Sequence, residues 1–144
     1  MNIRLALATE SIILFNVDRA QTFSAHWSEM DWQSELAHPS ARVWGAFVNG
    51  KLVGFICTRG AADQYEITNL AVDPGHTRQG IGRALLAHAL EELKALGAGQ
   101  VTLEVSTANE PARALYQSGQ FVTLGMRKKF YKDGSDALIL GKKL

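Results

Sequence analysis

Apolar and polar positions along this chain alternate, then recur every third or fourth residue, then alternate again, and each change of period marks an element. Near the start "NIRLAL" alternates as a short strand, and Thr9 can cap a helix in which Ile13, Val17 and Ala20 recur at helical spacing. A second helix lies within "HWSEMDWQSELAHP", where Ser28 and Asp31 have capping-box spacing behind Trp27, and His38-Pro39 ends the run. "ARVWGAFV" and "KLVGFICTR" flank Asn49-Gly50, a pair that tolerates the positive φ of a tight hairpin turn. "QYEITNLAV" is the next strand, and Asp73-Pro74-Gly75 supplies a sharp turn. From about Gly80 to Leu96 a helix carries Ile81, Leu85, Leu86, Ala89, Leu93 and Leu96 on one stripe, with Gly97 as its left-handed stop. "QVTLEVS" is again a strand, and Asn109 can cap a short helix with Pro111 in its first turn and an end near Gly119. "FVTLGMRKKFY" and "DALILGKK", turning at Lys132-Asp133-Gly134-Ser135, close the chain as a second hairpin.

The order predicts an α/β fold with a mixed central sheet: antiparallel N-terminal strands, a parallel strand-helix-strand unit and a C-terminal hairpin. The crossover from strand 64–72 through helix 80–96 to strand 100–106 should be right-handed, so the two strands run parallel and their C-terminal ends share an edge. With 144 residues, 47% of them hydrophobic, the chain is expected to form one domain over 1–144.

Composition narrows the chemistry. Cys57 is the only cysteine, which excludes an internal disulfide and a cysteine zinc cluster and agrees with a reducing compartment. The N-terminal run is too weakly apolar and basic for a signal peptide, and no stretch is long enough to span a bilayer, so a cytoplasmic location is expected, with no membrane contact. The four histidines lack metal-ligand spacing, and no metal is expected. Net charge is +1, but residues 127–144 hold six basic and two acidic groups. Such a segment could meet an anion, yet a short basic strand pair is usually a solvated edge whose lysines discourage strand pairing, and nucleic-acid binding is not expected.

"HTRQGIGRALL" carries the most chemistry. It follows a strand and opens a helix, where unpaired N–H groups and the helix dipole favour an anion. Gly80 and Gly82 let a bulky diphosphate approach the backbone, and Arg78 and Arg83 add positive charge. A plain capping loop has the same composition, so the glycines alone leave both readings open. A dinucleotide fingerprint would need a small residue at Leu85, and a Walker loop would need lysine then serine or threonine after its last glycine.

At these residues the chain resembles the GCN5-related N-acetyltransferases (GNAT), whose acetyl-CoA motif reads Gln or Arg, two variable residues, Gly, one variable residue, then Gly or Ala. Gly80-Ile81-Gly82 supplies the second half, while Thr77 stands at the leading position; a register beginning at Gln79 also satisfies the pattern. "HWSE", "NLAVDP", "RQGIGRALL", "LEV", Asn109, "ALY" and "RKKFY…DALIL" follow the order of the RimI-type branch, the ribosomal-protein-alanine acetyltransferases, over roughly residues 20–142. Ser106, Ala108 and Gln120 depart from that branch, which commonly has Arg, Ser and Gly there.

The resemblance implies acetyl-CoA as cosubstrate and direct transfer of its acetyl group to the α-amine of a protein N-terminus, possible in the wider family also for lysines and small amines. A CoA-binding sensor without turnover is the rival class. The backbone of Leu70, Ala71 and Val72 is implied to pair with the pantetheine arm, and Arg78, Gln79, Gly80, Ile81, Gly82, Arg83 and Asn109 to hold the cofactor. Glu104 is implied to accept the amine proton and Tyr116 to donate one to sulfur. By alternation Glu104 lies opposite the apolar face of Val101, Leu103 and Val105, where it could equally be a solvated or ion-paired carboxylate. Tyr116, one turn after Ala112, could equally be core. Glu66 is the second-choice base, expected on the face of Thr68, Leu70 and Val72. Trp27 and Trp32, with Phe130 and Tyr131, are readable either as core or as walls of a peptide groove. Cys57, placed in a strand away from the loop, gives no support to an acyl-thiol route.

Overall fold

The computed structural model describes residues 1–23 and 26–144. The strands are β1 (Asn2–Leu5), β2 (Ala41–Val48), β3 (Lys51–Ala61), β4 (Gln64–Val72), β5 (Gln100–Ser106), β6 (Val122–Arg127) and β7 (Ala137–Lys143). The helices are α1 (Ser11–Arg19), α2 (Glu29–Ala37), α3 (Ile81–Ala95) and α4 (Glu110–Ser118). All seven strands join one sheet in the order β1-β2-β3-β4-β5-β7-β6. Only β4 and β5 pair in parallel, joined through α3 as expected of a crossover.

Local chemistry accounts for most of these elements. Asn49 and Gly50 take φ of 50° and 78°, as the tight turn between β2 and β3 requires. Ser28 accepts a hydrogen bond from the Asp31 N–H while Asp31 accepts from that of Ser28, the reciprocal cap that starts α2. The ends of α3 and α4 share one hydrogen-bond pattern: Ala98 and Gly97 N–H donate back to the Leu93 and Lys94 carbonyls, and Phe121 and Gln120 N–H to those of Tyr116 and Gln117. In α3 the left-handed residue is Gly97, at φ 98°; in α4 it is Gln120, at φ 68°.

Two apolar clusters sandwich the sheet. On one face α3 and α4 bury Ile81, Leu85, Leu86, Ala89, Leu93 and Tyr116 against Val53, Ile56, Val101, Leu103 and Val105. On the other, Leu14 and Val17 of α1 and Trp32 of α2 cover Val43, Phe47, Phe55, Cys57 and Ala71. The Glu35 carboxylate of α2, nearly buried, accepts from Arg59 of β3 in a bidentate pair that fastens α2 to the sheet.

Four local expectations are corrected. Thr9 does not cap α1: residues Ala8–Glu10 form a 3₁₀ turn, and Glu10 instead accepts from the Leu7 N–H and from Arg4. The buried stripe of α1 is Ser11, Leu14, Val17 and Asp18, not Ile13 and Ala20, because a hydrogen-bonded carboxylate turns inward. Leu96 is exposed, since α3 stops at Ala95 before Leu96 can complete the stripe. In the last hairpin β6 ends at Arg127 rather than near Tyr131, so the expected turn, closed by the Gly134 N–H to the Tyr131 carbonyl, sits inside a longer loop over 128–136.

Candidate active site

The site exists because β4 and β5 pair along only part of their length. Gln64 to Ile67 match Gln100 to Leu103, and beyond that the strands diverge. A bulge causes the departure: Cys57 opposes Asn69 while Thr58 opposes Ile67, leaving Thr68 as the extra residue of β4. Between the separated ends lies a cleft of about 690 Å³, lined from β4 by Ile67 to Leu70, from β5 by Glu104 to Ser106, and from α4 by Ala112 and Tyr116. Thr22, Phe23 and His26 line one side of it, Tyr131, Lys132 and Asp133 another.

The extra residue also exchanges the faces of β4. Tyr65 and Ile67 pack on the α3 side, and so do Leu70 and Val72, although alternation without a bulge would put them on opposite faces. Glu66, between Tyr65 and Ile67, therefore does not share the face of Leu70 and Val72 as expected; it is exposed, paired between Arg59 and Thr102 where the sheet is closed, and outside the cleft. Glu104 and Tyr116 are brought together. The strand points Glu104 away from the Val101, Leu103, Val105 face, while α4 raises Tyr116 from the opposite side of the sheet, and the gap lets both line one space.

Glu104 is half-buried, and its Oε1 lies 3.3 Å from the Arg127 guanidinium, which also sits 5.4 Å from the Phe130 ring centre. This carboxylate is thus ion-paired and also lines the cleft. Tyr116 is 5% exposed, packed edge-on to Phe121 at 5.5 Å, and burial pushes its phenol well above the ordinary tyrosine range, so it keeps its proton throughout the physiological range. Burial, then the charges of Glu104 and Asp133, raise the Tyr131 phenol in the same direction. Hydrogen bonds from the Ser135 side chain and backbone hold the Asp133 carboxyl below its usual value.

The start of α3 has the features an anion needs. Gly80 is the left-handed N-cap at φ 77°, and among the described residues no side chain caps the first turn, which leaves its leading N–H groups without an intrahelical partner. A Cβ at Gly80 would meet nothing within 4 Å, which makes its conformation the reason for glycine there. Gly82 would tolerate a methyl, 3.6 Å from Leu115 and 3.7 Å from Val72. Arg78, Gln79 and Arg83 are exposed around this turn, Ile81 is buried beneath it, and Thr77 hydrogen-bonds only the Pro74 carbonyl. The turn lies outside the cleft lining and is continuous with it through Leu70, 3.9 Å from the Gly82 position. These residues fit a diphosphate group.

Along β4 the register decides which amides are available. Asp73 N–H donates to the Val53 carbonyl, so the neighbouring Gly54–Val72 pair is the open kind, with the Val72 N–H and C=O turned towards the cleft side. Leu70 shares that orientation, while Ala71 faces Phe55 and is spent within the sheet, a correction to its expected pairing with a ligand. The Val72 carbonyl is already used by Gln21 Nε2, at 2.9 Å. Asn109 lines the cleft and caps α4, its Oδ1 accepting from the Ala112 N–H at 3.2 Å.

Two polar groupings at the cleft, around Asn69 and around Ser106, could not be read from the sequence as contacts. Asn69 reaches the buried Asp18 carboxylate, which also accepts from the Trp27 N–H and the Trp32 indole. Ser106 donates to Ser135, which donates to Asp133, a chain that secures loop 128–136 to the end of β5. Trp32 is fully buried and Trp27 stacks edge-on against it at 4.8 Å, so both serve the core, and of the two hairpin aromatics Tyr131 alone lines the cleft. Among the described residues no cluster of histidine, cysteine or carboxylate side chains could hold a metal, and no helix is long and apolar enough to cross a membrane.

The sheet splits beside an open helix N-terminus that suits an anion, and residues 12–120 match the model of the acetyltransferase (GNAT) family, an acetyl-CoA-using class to which the chain belongs. It is 42% identical over 95 residues to the [ribosomal protein bS18]-alanine N-acetyltransferase of Escherichia coli K12, an alignment covering 64% of each chain. It is 37% identical over 116 residues to the N-alpha-acetyltransferase RimI of Mycobacterium tuberculosis, covering 77% of this chain and 72% of that one. The crystal structure of the ribosomal-protein-S18-alanine N-acetyltransferase from Escherichia coli superposes with a TM-score of 0.90 at 31% identity, covering 99% of this chain and 92% of that one.

Proposed function

We propose that the chain is a cytoplasmic, acetyl-CoA-dependent N-acetyltransferase that acylates the N-terminal α-amine of a protein, a ribosomal protein of the alanine-initiated type, by direct attack on the thioester. The observation that carries this reading is the meeting of Glu104 and Tyr116 in one cleft that is continuous with the uncapped start of α3. Kinship with the bS18-alanine enzyme supports the acceptor class, and the buried, unpaired Cys57 suits a reducing compartment.

The leading N–H groups of α3, with Arg78 and Arg83, would hold the diphosphate, and the Leu70 and Val72 amides would line the arm that carries the acyl group. Bound there, the cosubstrate supplies an activated acetyl group. Glu104 takes the proton that the attacking amine must lose, and Tyr116, protonated in its apolar setting, directs its hydroxyl hydrogen to the departing sulfur. The Leu70 and Val72 N–H groups, turned to the cleft, are the donors available to a developing oxyanion.

Acceptor basicity favours an α-amine. Deprotonating one of pKa near 8 at pH 7 costs about 1.4 kcal/mol, against roughly 4.6 kcal/mol for a lysine near 10.4. The smaller of these demands can be met by one carboxylate in the cleft, and Glu104 lines it. Release of free thiol from acetyl-CoA tests the proposal against peptides with free or blocked N-termini and against spermidine. Release with free-N-terminus peptides alone is expected; release with spermidine alone would replace the acceptor class, and no release would make the chain a CoA-binding module.

A further inference from the structure

Gln21 follows the last turn of α1 and leads into the stretch that brings Thr22, Phe23 and His26 to the cleft. Its Nε2 donates to the Val17 carbonyl at 3.1 Å and to the Val72 carbonyl at 2.9 Å. Its own carbonyl oxygen lies 2.5 Å from His26 Nε2. One side chain and one carbonyl therefore join the end of α1, the open edge of β4 and the far end of the cleft wall. Holding a long, half-exposed side chain in one geometry has an entropic cost, and nothing in the apolar cores depends on this carboxamide. Asp18 already anchors the same stretch to the core through Trp27 and Trp32.

We propose that Gln21 is a positioning residue: it fixes the wall formed by Thr22, Phe23 and His26 relative to the β4 edge, and so determines how an extended peptide N-terminus is presented to the acyl donor. The proposal rests on the acyl-transfer reading above. Val72 lies on the edge along which the donor arm would be laid, so a bond from Gln21 to its carbonyl sets the wall and the donor in one frame. Small displacements between reactants are expensive in rate. A peptide several residues long touches the wall, whereas a single amino-acid amide needs only the reacting groups of the cleft.

The test uses the full chain as Gln21→Leu, which keeps bulk and removes both donor hydrogens, and Gln21→Glu, which keeps shape but cannot donate when ionised. An alanine-initiated hexapeptide is compared with alaninamide under saturating acetyl-CoA. In both variants kcat/KM for the hexapeptide should fall about threefold to tenfold, the range one lost hydrogen bond allows, with the change in KM. Alaninamide turnover and acetyl-CoA affinity should stay within about twofold by the same measure. Equal losses on both acceptors, or none on the hexapeptide, would overturn the inference. If the wild-type chain acetylates neither acceptor, the proposed function fails separately. Backbone order parameters then judge Gln21: values for Thr22, Phe23 and His26 should drop in Gln21→Leu, and unchanged values would refute its role.

Discussion

Tyr116, a phenol in an apolar setting, and Glu104, a carboxylate beside a guanidinium, line one cleft, and each functional group can be removed without changing the shape of its residue. Tyr116→Phe keeps the edge-on ring contact with Phe121 and deletes the hydroxyl, so folding and acetyl-CoA affinity should persist while turnover falls by about 10²–10⁴. Single-turnover kinetics beside equilibrium binding separates the two effects; unchanged turnover would remove Tyr116 as the donor. Glu104→Gln should lower kcat for a free-N-terminus peptide by about 10²–10⁴, because the amide cannot take the amine proton, while Glu66→Gln should leave kcat within about twofold. The face exchange at Thr68 sets this expectation for Glu66, which stands where β4 and β5 remain paired. Loss of turnover in Glu66→Gln alone would reverse the assignment.

At the scale of elements, the end of α4 presents a measurable conflict between residue and backbone. Gln120 occupies the left-handed position of the helix stop, where the related branch carries glycine, and the stop is otherwise complete: two return hydrogen bonds and a Phe121–Tyr116 contact. A side chain there costs roughly 1–2 kcal/mol, offset on replacement by the extra freedom glycine loses, so Gln120→Gly should raise unfolding stability by about 0.5–1 kcal/mol in urea titrations. Tyr116 belongs to the same stop, which makes this turn a structural support of the site as well as of the helix. The turn also shows what the amino-acid pattern could and could not convey. Strong local signals, Asn49-Gly50, the Ser28 cap, Asn109 and the α3 stripe, were legible because each element answers to its own residues. The bulge at Thr68 was not: a two-residue period runs unbroken through "QYEITNLAV", and only the opposing strand reveals that one residue is extra. Glu104 and Tyr116 could be singled out, but their meeting depends on that bulge. Asp18 was hidden for a related reason, since a carboxylate turned inward reads as a polar position until Trp27, Trp32 and Asn69 are seen around it.

For the molecule as a whole, helices cover both faces of the sheet away from the exposed edge strand β6, and the groups buried there should govern its response to alkali. Cys57 lies fully inside the cluster beneath α1 and α2, and burial, reinforced by the negative charges of Glu35 and Asp18, pushes its thiol well above the ordinary value. In the unfolded chain the same thiol ionises near pH 8.5. Below that pH both states keep the proton and stability is unaffected; above it the unfolded state gains by losing a proton that the folded state retains. Unfolding free energy should therefore decline by up to about 1.4 kcal/mol per pH unit from roughly pH 8.5. The Tyr116 phenol, raised in the same direction, adds a second decline above about pH 10. Urea unfolding at pH 7.5, 8.5 and 9.5 measures the first slope, and Cys57→Ala should lower stability at every pH yet flatten the decline over that interval. A slope that survives the substitution would assign the alkaline response to other groups. The same burial predicts that the native chain leaves a disulfide reagent unreacted until it unfolds, so thiol released during acyl transfer can be counted with Cys57 in place.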